Sequence, residues 1–181
     1  FNLVITDMIM PKMGGGELIK EISEWIKDKV VQSGQKGTVF GISGGIDSTV
    51  VACLCKEALG DNTLGLIMPC HSRKDDSEYA LLVAQMFNLR TETVELSTVY
   101  DAFVSLLPEG NALAYTNIKP RLRMTTLYYF ASLHNYLVVG TGNKSEASVG
   151  YFTKYGDGGV DILPIADLLK KDVIALAREF K

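Results

Sequence analysis

One run of nine residues contains the groups best suited to binding an anion. It reads Gly41-Ile42-Ser43-Gly44-Gly45-Ile46-Asp47-Ser48-Thr49 and joins an apolar, β-prone stretch to a helical pattern. Glycines at such a strand-to-helix turn let the backbone approach a ligand, and the first N–H groups of the helix carry the positive end of its dipole. Ser43, Ser48 and Thr49 add hydroxyl donors. The run predicts a phosphate-binding loop.

Asp47 is the one group in this run that a phosphate would repel. A cation between the carboxylate and the phosphates explains its presence, so Asp47 is a candidate Mg²⁺ ligand. The alternative is a Gly-Gly turn followed by an Asp or Ser that caps a helix, which is common in α/β proteins. Taken alone, the run leaves both interpretations open.

The elements that must position this loop follow from the hydrophobic pattern. Five β-prone runs cover residues 2–6, 38–42, 63–68, 91–96 and 136–140. Five stripes at helical spacing accompany them: Leu18, Ile22, Trp25, Ile26 and Val30; Val50, Val51, Leu54 and Ala58; Tyr79, Leu82, Val83 and Met86; Met124, Leu127, Tyr128 and Ala131; Leu169, Val173, Leu176 and Ala177. This alternation predicts a three-layer α/β fold, a parallel sheet with helices on both faces.

Two segments lack a clear period. Residues 97–117 predict a short helix followed by a loop, and residues 150–163 form a loop rich in Gly and Asp. Loops of such length in compact domains are often functional. We expect a single domain over residues 1–181, since a chain of this length matches one domain.

Composition narrows the classes of partner. The 181 residues are 47% hydrophobic and 22% charged with a net charge of −3, which is typical of a soluble globular protein and gives no basic field for nucleic acid. No apolar run reaches the roughly 18 residues of a membrane span. Cys53, Cys55 and Cys70 have no disulfide or zinc spacing. We expect a cytoplasmic protein without nucleic-acid or membrane partners.

The string Ser43-Gly44-Gly45-Ile46-Asp47-Ser48 resembles the SGGxDS fingerprint of the PP-loop ATP pyrophosphatases. Those enzymes cleave ATP between its α and β phosphates. Their fold is Rossmann-like, of the adenine nucleotide alpha hydrolase type. No Walker A pattern occurs in the sequence, which argues against γ-phosphoryl transfer of the P-loop kind.

The second half of the chain resembles one branch of that superfamily, ammonia-dependent NAD synthetase. The resemblance covers residues 17–181 and rests on three further segments: Asn117-Ile118-Lys119-Pro120-Arg121-Leu122-Arg123-Met124, Gly140-Thr141-Gly142-Asn143-Lys144-Ser145-Glu146, and Gly150-Tyr151-Phe152-Thr153-Lys154-Tyr155-Gly156-Asp157-Gly158-Gly159-Val160-Asp161-Ile162. Other PP-loop enzymes lack the last pattern. The resemblance implies that ATP activates the nicotinate carboxylate of deamido-NAD and that ammonia then displaces AMP. It also implies a homodimer.

The resemblance further implies roles for individual residues. Gly41, Ile42, Ser43, Gly44, Gly45, Ile46, Asp47 and Ser48 would hold the phosphates of ATP. Asp47 and Glu146 would bind Mg²⁺, and Thr141 and Lys170 would contact ATP. Arg121, Lys154 and Asp161 would hold deamido-NAD. Without the resemblance, Lys170, Glu146 and Arg121 are equally explained as solvated surface charges.

Three other residues give weaker signals. Arg73 follows the strand of residues 63–68 at the sheet edge where ligands of open α/β sheets bind, so it is a candidate nucleotide contact. His71 has no nucleophile in a recognisable neighbourhood, and no catalytic role is assigned to it. His134 ends a helix, where a partner of the helix dipole is expected.

The first sixteen residues resemble another family. They match the central strand and following loop of a response-regulator receiver domain, with Asp7 at the phospho-accepting position. The other residues that receiver phosphorylation needs are missing, so we expect Asp7 to be inert. The pattern suggests a chimera of a receiver segment and an NAD synthetase.

NAD synthetases continue beyond the point where this chain ends, with further contacts to ATP and deamido-NAD. The sequence therefore leaves two functions open. The first is an adenylating amide ligase, and the alternative is a recombined, non-catalytic α/β domain that still binds ATP.

Overall fold

The computed structural model describes residues 14–180 of the chain. The helices among them are α1 Gly15–Gln32, α2 Ile46–Leu59, α3 Lys74–Met86, α4 Ser97–Val104, α5 Ala112–Thr116, α6 Ile118–His134, α7 Lys144–Ser148 and α8 Lys170–Ala177. The strands are β1 Gly37–Gly41, β2 Thr63–Ile67, β3 Thr91–Thr93 and β4 Tyr136–Val138. The predicted strand over residues 2–6 lies outside the described residues.

The four strands form one parallel sheet in the order β3-β2-β1-β4. Thr38 of β1 lies opposite Thr63 of β2 on one side and Leu137 of β4 on the other. The chain therefore leaves the sheet after β3 at one edge and returns as β4 at the other edge. The carboxyl ends of β1 and β4 are neighbours, so the loops that follow these strands meet.

Helices cover both faces of the sheet, as predicted. Consecutive residues of a strand point to opposite faces: Phe40 belongs to a core built with α1, α2 and α8, whereas Val39 belongs to a second core built with α6. Both side chains are fully buried. These two cores fix the position of β1, whose carboxyl end leads into the predicted phosphate loop.

The edge strands are shorter than predicted. β3 and β4 have three residues each, against the predicted 91–96 and 136–140. Single hydrogen bonds continue where the ladder stops: Val94 N–H donates to the Ile67 carbonyl at 2.9 Å, and Leu96 N–H to Pro69 at 2.8 Å. At the opposite edge, a parallel bridge joins Val139 to Ile162. The β-prone sequence is thus extended, but it is paired at isolated points.

The predicted apolar stripe of α3 was wrong for three of its four residues, since only Val83 packs against the core. Tyr79, Leu82 and Met86 are 58%, 53% and 69% exposed, whereas Ala80 and Ala84 are buried at 0% and 6%. The small alanines face the core, and this leaves the large side chains on the outer face. Hydrophobicity alone could not separate these two faces of one helix.

The interpretation of residues 97–117 as a short helix and a loop was incomplete. α4 covers the first part as expected, but a second helix, α5, forms before α6. Asn111 caps α5, since its side-chain oxygen accepts a hydrogen bond from Ala114 N–H at 2.9 Å. An Asn directly before a run of helix-forming residues is an N-cap signal. Asn111 before Ala112 could have been recognised as such in the sequence.

Candidate active site

The predicted phosphate loop connects β1 to α2 at the carboxyl edge of the sheet. Its hydroxyl groups bond within the loop: Ser48 Oγ and Thr49 Oγ1 each donate to the Gly45 carbonyl at 2.9 Å, and Ser48 Oγ lies 3.1 Å from Ser43 Oγ. Ser48 is 4% exposed. These hydroxyls therefore hold the shape of the loop, and the backbone N–H groups of the first turn of α2 are the donors available to an anion.

Gly44 is the position in this loop that requires glycine. Its φ of +79° lies in the left-handed region, and a Cβ there would come within 2.7 Å of Tyr79 Cβ and 3.1 Å of the Ala80 nitrogen. The loop thus packs directly on α3. This contact and the positive φ explain the glycine at position 44.

Asp47, in the first turn of α2, has a protein partner on each carboxylate oxygen. Asn143 Nδ2 donates to Oδ1 at 3.0 Å, and the Lys170 ammonium forms an ion pair with Oδ2. The Asp47 side chain is 17% exposed and that of Lys170 is 44% exposed. Two residues that the sequence analysis assigned to ATP and Mg²⁺ are therefore in direct contact.

Glu146 reaches the same place through Asn143. Asn143 begins α7 with a capping box, in which its side-chain oxygen accepts from Glu146 N–H at 3.1 Å and its own N–H donates to Glu146 Oε2 at 3.2 Å. Ser145 Oγ accepts from Lys170 N–H at 3.0 Å and so joins α7 to α8. Asp47 contacts Lys170 directly and is linked to Glu146 through Asn143, a residue that the prediction did not include.

A cleft of about 750 Å³ opens beside the loop. Seven of the predicted residues line it, whereas Ile46, Asp47, Glu146 and Lys170 do not; the seven are Gly41, Ile42, Ser43, Gly44, Gly45, Ser48 and Thr141. Among the residues that the prediction missed are Asp76, Tyr79, Lys119, Arg123, Thr153 and Asp157. The cleft therefore combines a helix N-terminus with two cationic side chains, which suits a ligand carrying several phosphates.

Arg123 and Lys119 are the basic residues that α6 presents to the cleft. Arg123 Nε donates to the Met68 carbonyl at 3.0 Å and Nη2 to Ser72 Oγ at 3.3 Å, so the side chain is tied to the end of β2. Lys119, Arg123 and the buried Leu127 recur at four-residue spacing and share one helix face. That spacing was the available signal, and it separates this pair from Arg121.

Arg121 and Lys154 do not line the cleft. Arg121 Nε donates to the Lys154 carbonyl at 3.3 Å, and the Lys154 ammonium lies 5.1 Å from the centre of the Tyr155 ring. Lys154 belongs to the Gly-rich segment, and Arg121 belongs to the neighbouring helix α6. Their predicted contact with deamido-NAD stays a prediction.

Asp161 also lies outside the cleft lining and contacts the sheet instead. Its Oδ2 accepts from Val138 N–H of β4 at 2.8 Å, and its Oδ1 accepts from the Tyr128 hydroxyl at 2.9 Å. Burial, and then the hydrogen bond to Asp161, raise the pKa of Tyr128 above its usual range. The carboxylate thus fastens the Gly-rich segment to the sheet, a structural role that the sequence analysis did not anticipate.

The three weaker candidates take no part in the cleft lining. The Arg73 side chain is 83% exposed and lies 3.9 Å from Asp75. His71 Nε2 lies 2.7 Å from Asp101 Oδ1, which joins the turn after β2 to α4. His134 ends α6 as expected, and its ring lies between those of Phe130 and Tyr136.

The three thiols are buried and free. Burial raises the pKa of Cys53 and of Cys55 to about 12, which makes both poor nucleophiles at neutral pH. Within residues 14–180, no three His, Cys, Asp or Glu side chains gather into a cluster that could hold a metal ion. No helix in that part of the chain is long and apolar enough to cross a membrane.

A parallel sheet with helices on both faces and a glycine-rich loop at the carboxyl end of a central strand defines an open α/β protein, a class that binds ligands at this edge of the sheet. The NAD synthase family model matches residues 18–181, and the chain belongs to this family. An NH(3)-dependent NAD(+) synthetase from Finegoldia magna is 48% identical over 167 residues, which cover 92% of this chain and 69% of that protein.

Solved structures give the same result. An NH3-dependent NAD synthetase from Campylobacter jejuni superposes with a TM-score of 0.88 at 39% identity, covering 92% of this chain and 73% of that one. An NMN synthetase from Francisella tularensis also has a TM-score of 0.88, at 35% identity over 93% of this chain and 71% of that one. These relatives support the fold and the family resemblance read from the sequence.

The receiver-like interpretation of residues 1–16 receives no support from these comparisons. The family match begins at residue 18, and residues 1–13, Asp7 among them, lie outside the described residues. The chimera and its shortened carboxyl end stay predictions.

Proposed function

We propose that the chain catalyses the ATP-dependent amidation of deamido-NAD with ammonia, giving NAD, AMP and pyrophosphate. One observation carries the proposal: in a member of the NAD synthase family, the phosphate loop adjoins a cluster of Asp47, Asn143, Glu146 and Lys170. The relatives named NH3-dependent NAD synthetase supply the reaction. The backbone N–H groups and cationic side chains around this cleft suit ATP, the most highly charged reactant.

The phosphates of ATP would bind at the first turn of α2, where free N–H groups and the helix dipole favour negative charge. Gly44 and Gly45 keep the backbone open to them, and Thr141 faces the same cleft from the end of β4. Lys170 would contact the phosphates once its ammonium leaves Asp47. Lys119 and Arg123 add positive charge to the lining of the cleft.

Asp47 and Glu146 fit a divalent cation by donor type, because Mg²⁺ takes oxygen ligands and is usually held by one or two carboxylates together with substrate phosphates. Both carboxylates accept hydrogen bonds from Asn143: Asp47 from its side-chain amide and Glu146 from its backbone N–H. The Lys170 ion pair marks Asp47 Oδ2 as the oxygen that exchanges partners. Bound Mg²⁺ would neutralise charge between the phosphates and the incoming carboxylate.

The reaction proceeds in two displacements. A carboxylate oxygen of the nicotinate attacks the α-phosphorus of ATP, and the bond to the bridging oxygen breaks to release pyrophosphate. Ammonia then attacks the activated acyl carbon, AMP leaves with the oxygen, and the nitrogen loses a proton. The cations of the cleft lower the repulsion between two anionic reactants, which is the principal barrier to the first step. Arg121, Lys154 and Asp161 would serve the deamido-NAD side.

The test is an assay of the purified protein with ATP, Mg²⁺, deamido-NAD and ammonium, in which AMP, pyrophosphate and NAD are followed together. We expect the three products in equal amounts. Asp47→Ala should abolish turnover, whereas the matched variant Asp61→Ala, at a side chain that is 98% exposed beyond the end of α2, should not. Turnover of the unaltered protein no higher than that of Asp47→Ala would reject the proposal in favour of a non-catalytic, ATP-binding domain.

The same assay is run with a second substrate, because an NMN synthetase is among the similar structures. Nicotinate mononucleotide carries the same reactive carboxylate as deamido-NAD but lacks the second nucleotide. We expect a higher kcat/KM for deamido-NAD. The reverse preference would reassign the chain to amidation of the mononucleotide.

The homodimer and the cytoplasmic location also belong to this proposal. Exposed apolar side chains on neighbouring helices support a dimer: Val99 and Phe103 on α4, and Tyr129 and Leu133 on α6. Analytical ultracentrifugation should give twice the chain mass. A monomer at assay concentrations would remove the dimer from the proposal and leave the activity assay unaffected.

A further inference from the structure

Asn143 is a fully buried polar residue between the phosphate loop and α7. Its amide nitrogen donates to Asp47 Oδ1 at 3.0 Å, and its amide oxygen accepts from Glu146 N–H at 3.1 Å. Its backbone N–H donates to Glu146 Oε2 at 3.2 Å. One residue therefore contacts both acidic residues of the cluster.

The oxygen and the nitrogen of the Asn143 amide make different contacts. A helix cap needs only the oxygen, and Ser, Thr or Asp serves as well as Asn at such a position. Asn111 illustrates an ordinary cap, since its side chain is exposed and accepts from Ala114 N–H. The donor that Asn143 directs at Asp47 is additional to capping, and Asp, Ser or Thr would not supply the same NH₂ group.

The two partners of Asp47 differ in how easily they can leave. Lys170 reaches Oδ2 with a long side chain that is 44% exposed, so its ammonium can turn toward a phosphate or toward water. Asn143 is 0% exposed and is held by its capping box. Asp47 thus has one fixed oxygen and one exchangeable oxygen.

We infer that Asn143 is a positioning residue that fixes one oxygen of Asp47 beside Glu146 and leaves the other oxygen for the cation of the substrate complex. The inference rests on the proposed function for the identity of that complex. The contact itself is present without a ligand, so it can be tested separately.

Four variants isolate the contact, and one of them is the single change Asp47→Asn, which completes the double-mutant cycle. Asn143→Asp keeps the shape and the cap oxygen but replaces the donor by an oxygen that faces Asp47. Asn111→Asp makes the same change at the exposed cap of α5. The exchange Asp47→Asn with Asn143→Asp restores a donor and an acceptor across the contact in the reverse sense.

The first measurement is urea unfolding without ligand. Asn143→Asp should lower the unfolding midpoint, Asn111→Asp should leave it within error, and the exchanged pair should recover most of the loss. Additive effects of the two single changes in the exchanged pair would overturn the inference, because residues without a mutual contact do not couple.

The second measurement is the Mg²⁺ concentration that gives half-maximal NAD formation at saturating ATP. Losing a group that orients a metal ligand costs about 10- to 100-fold in metal affinity, so Asn143→Asp should raise this concentration at least about tenfold. Asn111→Asp should leave it unchanged. A merely structural role would lower the amount of folded enzyme and would not move the Mg²⁺ dependence.

The outcomes separate the two proposals. An unaltered protein that neither binds ATP nor forms NAD would reject the proposed function, and the urea experiment would still decide whether Asn143 positions Asp47. An active protein whose Mg²⁺ dependence is unchanged in Asn143→Asp would overturn the inference alone.

Discussion

Asp47 and Asp161 are two carboxylates with the same number of hydrogen-bonding partners and different uses. Asp47 contacts side chains, the amide of Asn143 and the ammonium of Lys170. Asp161 contacts the backbone of β4 at Val138 and the raised-pKa hydroxyl of Tyr128. One partner of Asp47, Lys170, can rearrange for a ligand. The partners of Asp161 belong to the sheet and to its covering helix.

The difference teaches how to separate a reactive carboxylate from a structural one. Both residues lie in motifs that resemble the family, and charge or spacing did not distinguish them. The partner does: a carboxylate that accepts from a strand N–H cannot leave it without leaving that N–H unpaired, while one paired to a long cationic side chain can.

Asp47→Asn should affect activity far more than stability. It removes the negative charge that faces Lys170 and the proposed cation, so we expect NAD formation to fall about 10²–10³-fold, the scale of losing one electrostatic contact in an active site. The comparison breaks if kcat/KM falls less for Asp47→Asn than for Asp161→Asn when both are corrected for the folded fraction. Steady-state kinetics with circular dichroism of each variant provide the measurement.

Gly44→Ala and Gly150→Ala extend the comparison to the two loops. Both glycines have positive φ, so both substitutions add backbone strain of about 1–2 kcal/mol. A Cβ at Gly44 also meets α3 at 2.7 Å, whereas one at Gly150 meets no atom within 4 Å among the described residues. Gly44→Ala should therefore also weaken ATP binding, and Gly150→Ala should not.

Calorimetric titration with ATP and Mg²⁺ checks this pair of variants. Equal ATP affinities in the two would contradict the close packing of the phosphate loop on α3 as a requirement for binding. Chemical unfolding of both proteins serves as the control for the shared backbone strain.

Asp161→Ala should lower the free energy of unfolding by about 1–3 kcal/mol, the cost of leaving partly buried donors without an acceptor. Val138 N–H and the Tyr128 hydroxyl would both lose their partner. Urea unfolding followed by fluorescence measures the change. A stability equal to that of the unaltered protein would contradict the structural role of Asp161.

Tyr128→Phe should give a smaller effect with a distinctive pH dependence. The pKa of Tyr128 is raised in the folded state, so its stabilising contribution is complete below the unfolded value of about 10 and is lost as the pH rises above it. We expect the stability difference between the two proteins to narrow from pH 9 to pH 11. A constant difference over that range would show that the pKa of Tyr128 is not raised in the folded protein.

The sequence predicted the sheet, its covering helices and the phosphate loop because strand and helix periodicity and the glycine turn are local patterns. It also named Asp47, Glu146 and Lys170, through the family resemblance. It missed Asn143 and Arg123, whose roles depend on contacts with residues distant in the chain. It misplaced Tyr79, Leu82 and Met86 of α3, because Ala80, Ala84 and Val83 are the residues that pack inward there.

The contacts of Asp47 have a consequence for the order of folding. Its partners lie 96 and 123 positions further along the chain, so the cluster exists only after α7 and α8 have docked. Contacts this distant form late, since loop closure must come first. During synthesis, an emerging chain would complete the phosphate loop long before Lys170 leaves the ribosome. Tight nucleotide binding, if it needs the Asp47 cluster, would then be reached only after the domain has assembled through α8.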